Sequence, residues 1–180
     1  RVPFAEYFPL RESLAPLYGR VFRALGLPDL TGLLPGRLDR PLTLGGVAYG
    51  AYVCYESVFP GIARGLVQDG AAVLVNVSND GWFNAGNGVA QHFQLGRVRA
   101  IETRRFLLRA GNIGVTAVID PRGRVTQALP VKQAGTLQAR FALQEGQTWY
   151  VRLGDWPVGG SALGLLGLAC ARWRVKRTPR

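Results

Sequence analysis

Residues 44–77 read LGGVAYGAYVCYESVFPGIARGLVQDGAAVLVNV, and the periodicity of this stretch decides the fold. Leu44–Val53 has the pattern of a hairpin or of paired strands broken at Gly45-Gly46 and again at Gly50, and it runs straight into Cys54. Pro60–Gln68 opens with proline at a helix start and stops before Asp69-Gly70. Ala71–Val77 is a continuous apolar run, the signature of a strand covered on both faces. Strand, tight corner, helix and buried strand in succession predict a layered α/β domain.

The pattern continues outward. Val89–Arg105 carries Val89, Phe93, Val98 and Ile101 at helical spacing, with arginine expected on the opposite, solvated side. Phe106–Ala110 and Val115–Ile119 read as strands, Asp120-Pro121-Arg122-Gly123 as a turn, and Val125–Leu129 and Thr136–Phe141 as further strands. Upstream, Leu10–Leu38 is leucine-rich but interrupted by Pro16, Pro28 and Pro35, so two short helices packed on the core are expected rather than one long helix. Apolar arms bordering a greasy site would read the same way.

Composition limits the functional classes. A chain of 180 residues with 48% apolar and 18% charged residues suits one compact domain and neither disorder nor a coiled coil. Two cysteines, Cys54 and Cys170, and the one histidine, His92, supply no zinc-binding pattern. The net charge of +11 would suggest nucleic acid, but residues 172–180 (RWRVKRTPR) concentrate five cations with no acid. The remaining arginines are interleaved with acids and read mostly as solvated surface, so no nucleic-acid partner is expected. The sequence contains no methionine and opens without a signal-peptide pattern, as a C-terminal piece of something longer would.

Sixteen residues without charge, Trp156–Ala171, precede the basic tail. As helix they span about 24 Å, short of a bilayer core of roughly 30 Å. Arginine snorkelling, flanking Trp156 and Trp173, and glycines at 160, 164 and 167 favour a membrane span over a glycine-rich core helix. The positive-inside tendency then puts residues 172–180 in the cytoplasm.

Cys54 is the candidate nucleophile. A cysteine at the end of a buried strand, before a turn into a helix, presents sulfur on a corner lined with backbone N–H groups. A small buried apolar cysteine fits the local sequence equally. Glu56, two residues on, implies a cation or a hydrogen-bond network at the same corner. His92 is expected to be structural. The Asn76-Val77-Ser78 sequon falls on a buried strand and is accidental, Asn79-Asp80-Gly81 reads as a turn, and Trp82-Phe83 are either core aromatics or an exposed flap that meets lipid.

Four runs in order, VPFAEYFPL (2–10), YVCYESVFP (52–60), NVSNDGWF (76–83) and QHFQLGRVRAIETRRFLLRAGNIGVTAVID (91–120), resemble the apolipoprotein N-acyltransferase family, the membrane branch of the nitrilase or carbon–nitrogen hydrolase superfamily. The resemblance extends through GQTWYVRLGDWPV (146–158) into the apolar segment. It implies an α/β fold, a nitrilase-like α-β-β-α sandwich incomplete at its N-terminus and followed by one transmembrane helix. Residues 1–153 would be the C-terminal part of the catalytic domain, 154–172 the helix and 173–180 the basic tail, with the domain on the periplasmic face of a bacterial inner membrane.

By the same resemblance Cys54 takes a fatty acyl group from a membrane phospholipid as a thioester and passes it to the N-terminal diacylglyceryl-cysteine of a lipoprotein. The Tyr55 backbone N–H would be an oxyanion donor, Glu56 and Glu6 would support the site, and Trp82 and Phe83 would meet substrate. A triad lysine and glutamate are implied upstream of Arg1; Lys132 and Lys176 do not fit the part, so residues 1–180 alone would be inactive. No cofactor and no metal is implied, and the protein is expected to act as a monomer. The alternatives are a soluble nitrilase-type amidase or carbamoylase and a degenerate lipid-binding domain.

Overall fold

The computed structural model describes residues 10–26, 40–83, 87–130 and 133–177. Glu6 and Lys132 lie outside the described residues. A six-stranded sheet is built in chain order: β1 (Leu42–Leu44), β2 (Val47–Val53), β3 (Val73–Asn79), β4 (Leu107–Asn112), β5 (Ala117–Ile119) and β6 (Val125–Ala128). Strands β2, β3 and β4 are parallel, and β1, β5 and β6 extend them in antiparallel fashion. The parallel pairs are joined by crossover helices α2 (Pro60–Gln68) and α3 (Gly88–Thr103), so both helices cover one face of the sheet.

Alternation along the strands defines two faces. Tyr52, Leu74, Asn76 and Leu107 are buried, and Leu74 and Leu107 join Ala63, Leu66, Val67, Phe93 and Ala100 of the helices in the core. The neighbouring positions Val53 and Val77 are about half exposed, at 53% and 48%. The described residues thus form a helix layer on a sheet whose second face is apolar and partly open, which is one half of the expected sandwich.

The β1–β2 turn falls at Gly45-Gly46 as the sequence suggests, but Gly50 does not break β2. A Cβ there would meet Leu74 Cδ2 at 2.9 Å, Ala71 Cβ at 3.0 Å and Leu66 Cβ at 3.2 Å, so glycine serves the close approach of α2 to the sheet. In α3 the buried face is His92, Phe93, Gly96, Arg99, Ala100 and Thr103, a clean helical stripe. Val98 and Ile101, expected inside, are 37% and 44% exposed.

The arginines also depart from the solvated reading, since Arg99, Arg105 and Arg109 are buried. Arg105 shows why. Its guanidinium donates to the carbonyls of Ala71 (2.7 Å) and Gly146 (2.6 Å), tying residues that have no strand partner to the sheet. Burial pushes the Arg105 pKa down.

Thr136–Phe141 does not form the expected strand, because no described strand pairs with it and its residues are exposed or half-buried. Chain order returns at α4 (Trp149–Leu153), whose Val151 is fully buried and whose carbonyl accepts from Arg64 Nε and Gln68 Nε2, both at 2.9 Å.

Near the N-terminus, α1 (Arg11–Ala24) runs through Pro16 without interruption, and among its described side chains Phe22 is the buried one. The first of the expected helices is thus present and largely exposed, and the rest of the Leu10–Leu38 stretch lies outside the described residues. At the other end, α5 (Trp156–Arg177) starts after a turn at Gly154, where φ is 59°, and continues as helix into the segment expected to be a tail. Leu163, Leu165, Leu166 and Leu168 on it are 61–71% exposed, and Cys170 is exposed too. Among the described residues no helix is long and apolar enough to cross a membrane. Glycines dilute the apolar run of α5, and its last turns hold Arg172, Arg174, Lys176 and Arg177.

Candidate active site

The carboxyl ends of β2, β3 and β4 meet at one edge, where crevices form in parallel sheets. At that edge β2 ends at Val53 and the chain turns through a short 3-10 segment, Cys54–Val58, before α2. Cys54 adopts φ 48°, the left-handed region that a non-glycine residue enters at a cost of order 1–3 kcal/mol. The residue is half-buried, and its sulfur lies 3.8 Å from the Asn79 carbonyl oxygen at the end of β3.

Glu56 is buried and folds back on the corner, its Oε2 accepting from Val53 N–H at 2.6 Å. The network expected around this carboxylate thus includes a main-chain donor one residue before the cysteine. Tyr55 is 42% exposed, its ring edge-on to Phe59 at 5.8 Å.

Beneath the corner lies a buried polar cluster that the sequence reading did not assemble. Strand register brings Tyr52, Asn76 and Arg109 side by side across β2, β3 and β4. Asn76 donates to the Tyr52 carbonyl at 3.2 Å and accepts from Arg109 Nη1 at 2.6 Å, which explains its full burial. Arg109 Nη2 reaches Asp80 Oδ2 at 2.8 Å, and Ser78 donates to Asp80 Oδ1 at 2.6 Å. Burial pushes the Asp80 carboxyl up, but the Ser78 hydroxyl, the Arg109 guanidinium and the His92 ring outweigh it and hold the group below the usual carboxylate range.

His92, at the start of α3, completes the cluster. Its Nδ1 lies 2.8 Å from Asp80 Oδ1, and its Nε2 lies 2.9 Å from Ser57 Oγ and 3.1 Å from the Cys54 carbonyl oxygen. His92, expected to be structural, is 2% exposed and touches the cysteine's own peptide. Serine, histidine and aspartate in sequence resemble a hydrolytic triad, but Ser57 is 1% exposed and out of reach of substrate. The sequence signal for this cluster was polarity on strand and helix positions that pattern alone puts inside.

Trp82 and Phe83 follow Asp80 in a second 3-10 segment and part company. Trp82 is 83% exposed and fits the flap reading, whereas Phe83 is half-buried with its ring 5.4 Å from His92. A cleft of about 560 Å³ runs from this edge onto the open sheet face, lined by Val53, Val77, Asn79, Ala110 and Asn112 among others.

The family model of the carbon–nitrogen hydrolases matches residues 13–151. The apolipoprotein N-acyltransferase of Azotobacter vinelandii is 41% identical over 177 residues, covering 98% of this chain and 33% of that protein. That of Nitrosomonas europaea is 44% identical over 170 residues, covering 93% and 33%. A crystal structure of a carbon–nitrogen hydrolase from Helicobacter pylori superposes with a TM-score of 0.49 at 19% identity, over 58% of this chain and 44% of that one. The chain spans about a third of the length of the curated relatives it matches. With its nitrilase-like α/β sheet and the cysteine corner at its carboxyl edge, the chain belongs to the carbon–nitrogen hydrolase family.

Proposed function

We propose that this chain is the cysteine-bearing part of an apolipoprotein N-acyltransferase, in which Cys54 carries a fatty acyl group as a thioester. The observation that supports this most is the Cys54 corner itself: a non-glycine residue held at φ 48° at the carboxyl edge of parallel strands, in a chain of this family. A left-handed corner aims the side chain away from the sheet and the following N–H groups toward the same space.

In the first half-reaction the Cys54 thiolate attacks an ester carbonyl of a phospholipid. The tetrahedral oxyanion forms against the Tyr55 N–H, the ester C–O bond breaks, and the proton that a general base took from the thiol passes to the departing lysophospholipid oxygen. In the second, the α-amino group of a diacylglyceryl-cysteine attacks the thioester carbonyl, the same base takes the amine proton, the C–S bond breaks, and that proton returns to the sulfur as the amide product leaves. Glu56 holds the corner through Val53 N–H, and Trp82 and Phe83, in the 3-10 segment after β3, would meet the acyl chain. Glu6 keeps the supporting role the resemblance gives it.

Extracting a fatty chain through water costs about 0.8 kcal/mol per methylene, so the work belongs at a bilayer surface. In this reading α5, with its exposed leucines, is the segment that meets the bacterial inner membrane, and the cations of its last turns stay cytoplasmic. The catalytic domain then faces the periplasm and acts as a monomer.

The test is acyl transfer from labelled phospholipid to a diacylglyceryl peptide by the full-length protein. Amide formation that disappears in Cys54→Ala supports the reading. Release of free fatty acid or ammonia from simple amides, with no transfer to the peptide, would instead identify a nitrilase-type hydrolase.

A further inference from the structure

The strained Cys54 corner needs something to hold it, and Glu56 takes the N–H of Val53, the residue before it. Behind the corner, the Cys54 carbonyl oxygen faces His92 Nε2 at 3.1 Å. A carbonyl can only accept, so a bare nitrogen there would set two lone pairs against each other in a buried space. Toward that carbonyl the contact is favourable only if Nε2 carries hydrogen, and the Ser57 hydroxyl, 2.9 Å from the same nitrogen, then turns a lone pair toward it rather than its proton.

The ring has no freedom to turn away. Its Nδ1 is engaged by Asp80 Oδ1 at 2.8 Å and lies 3.3 Å from Arg109 Nη2. The Tyr55 and Phe83 rings lie 6.2 and 5.4 Å from it, centroid to centroid. Asp80 is itself clamped by Ser78 and Arg109, and Arg109 by Asn76. A chain of buried hydrogen bonds therefore leads from β4 through β3 and α3 to the peptide of the nucleophile.

We propose that His92 is a positioning residue for Cys54: its Nε2–H holds the Cys54 carbonyl, and so fixes the left-handed corner that presents the sulfur and the Tyr55 N–H to substrate. The proposal rests on Cys54 being the acylated residue. His92 does not touch the sulfur in this role, and neither it nor Ser57 exchanges protons with substrate. Displacing a reacting group by about 1 Å can cost on the order of a hundredfold in rate, so a loosened corner should be felt in acylation far more than in substrate binding.

The experiment compares His92→Gln, His92→Asn and His92→Ala with Cys54→Ala in the full-length protein, reading Cys54 acylation by an alkyne-labelled phospholipid and alkylation by iodoacetamide. Glutamine can place an amide N–H near the Nε2 position, whereas asparagine is too short. The expected result is acylation within about fivefold of the parent for His92→Gln and slowed by roughly 10- to 100-fold for His92→Asn and His92→Ala. The phospholipid concentration at half-maximal rate stays within about twofold throughout.

A merely structural histidine would lower the amount of folded protein without separating the glutamine and asparagine variants in rate per folded molecule. Equal rates for those two would overturn the proposal even if the alanine variant fails to fold. As a second readout, the ¹⁵N shift of His92 Nε2 in the parent protein should be that of a protonated nitrogen, and a bare Nε2 would also overturn it. Acylation that persists in Cys54→Ala defeats the functional reading and the proposal together. Acylation lost in Cys54→Ala but unchanged in all His92 variants defeats the proposal alone.

Discussion

Arg109 Nη2 lies 2.8 Å from Asp80 Oδ2, and neither side chain has any exposure to solvent. A fully buried ion pair is costly to assemble and more costly to break, because the surviving partner is left as an uncompensated charge. This one joins β4 to the segment that follows β3, directly under the Cys54 corner.

Arg109→Met should accordingly destabilise the protein by about 3–5 kcal/mol, since it leaves the Asp80 carboxylate buried with fewer donors. Urea denaturation followed by tryptophan fluorescence measures it. A loss below about 1 kcal/mol would show that the pair contributes little.

The pH dependence has a definite sign. Asp80 and Asp120 both sit below the usual carboxylate range. At Asp120 burial acts upward, but the main-chain and guanidinium donors of Arg124 and the Arg122 N–H outweigh it. A carboxyl depressed in the folded state contributes stability that is fully present above its unfolded value, near 3.9, and is lost as pH falls through the lower folded value. The contribution of these two carboxyls should therefore be flat at and above about pH 5 and decline below about pH 4, while burial pushes the Glu102 carboxyl up and gives the opposite sign, so the difference between the parent and Asp80→Asn carries the test and should shrink on acidification. A difference that grows on acidification would contradict this.

Gly50→Ala tests the packing of α2 on the sheet. The added methyl would sit within 2.9–3.2 Å of Leu74, Ala71 and Leu66, two of these contacts being Cβ atoms that cannot swing aside. Overpacking of this kind costs about 1–3 kcal/mol, again readable by denaturation.

Trp82→Ala should separate stability from function. With the side chain 83% exposed, the fold should lose no more than about 0.5 kcal/mol. If the indole packs on the acyl chain, the phospholipid KM should rise by about tenfold while the denaturation midpoint stays put. An unchanged KM would remove Trp82 from the substrate path.

Much of this fold was legible in sequence because the relevant signals are local. Proline at residue 60 and Asp69-Gly70 mark the ends of α2, the apolar run at residues 71–77 marks β3, and Asp120–Gly123 marks the turn before β6. Cys54 stands out because it joins a strand to a helix.

The cluster beneath it was illegible for a different reason. Asn76, Asp80, His92 and Arg109 meet through strand register and a crossover, so no spacing along the chain announces them. The same limit explains Thr136–Phe141, whose alternating pattern suits a strand but which pairs with no strand among the described residues. Arg99 shows charge misleading the eye: its spacing puts it on the buried stripe of α3, where it pairs with Glu102 at 3.2 Å.

The most direct test is mass spectrometry of the full-length protein after incubation with phospholipid and no acceptor. A hydroxylamine-labile acyl group on the peptide containing Cys54, absent in Cys54→Ala and discharged on adding a diacylglyceryl peptide, is the expected result. An acyl group on another residue, or transfer that proceeds undiminished in Cys54→Ala, would contradict the assignment.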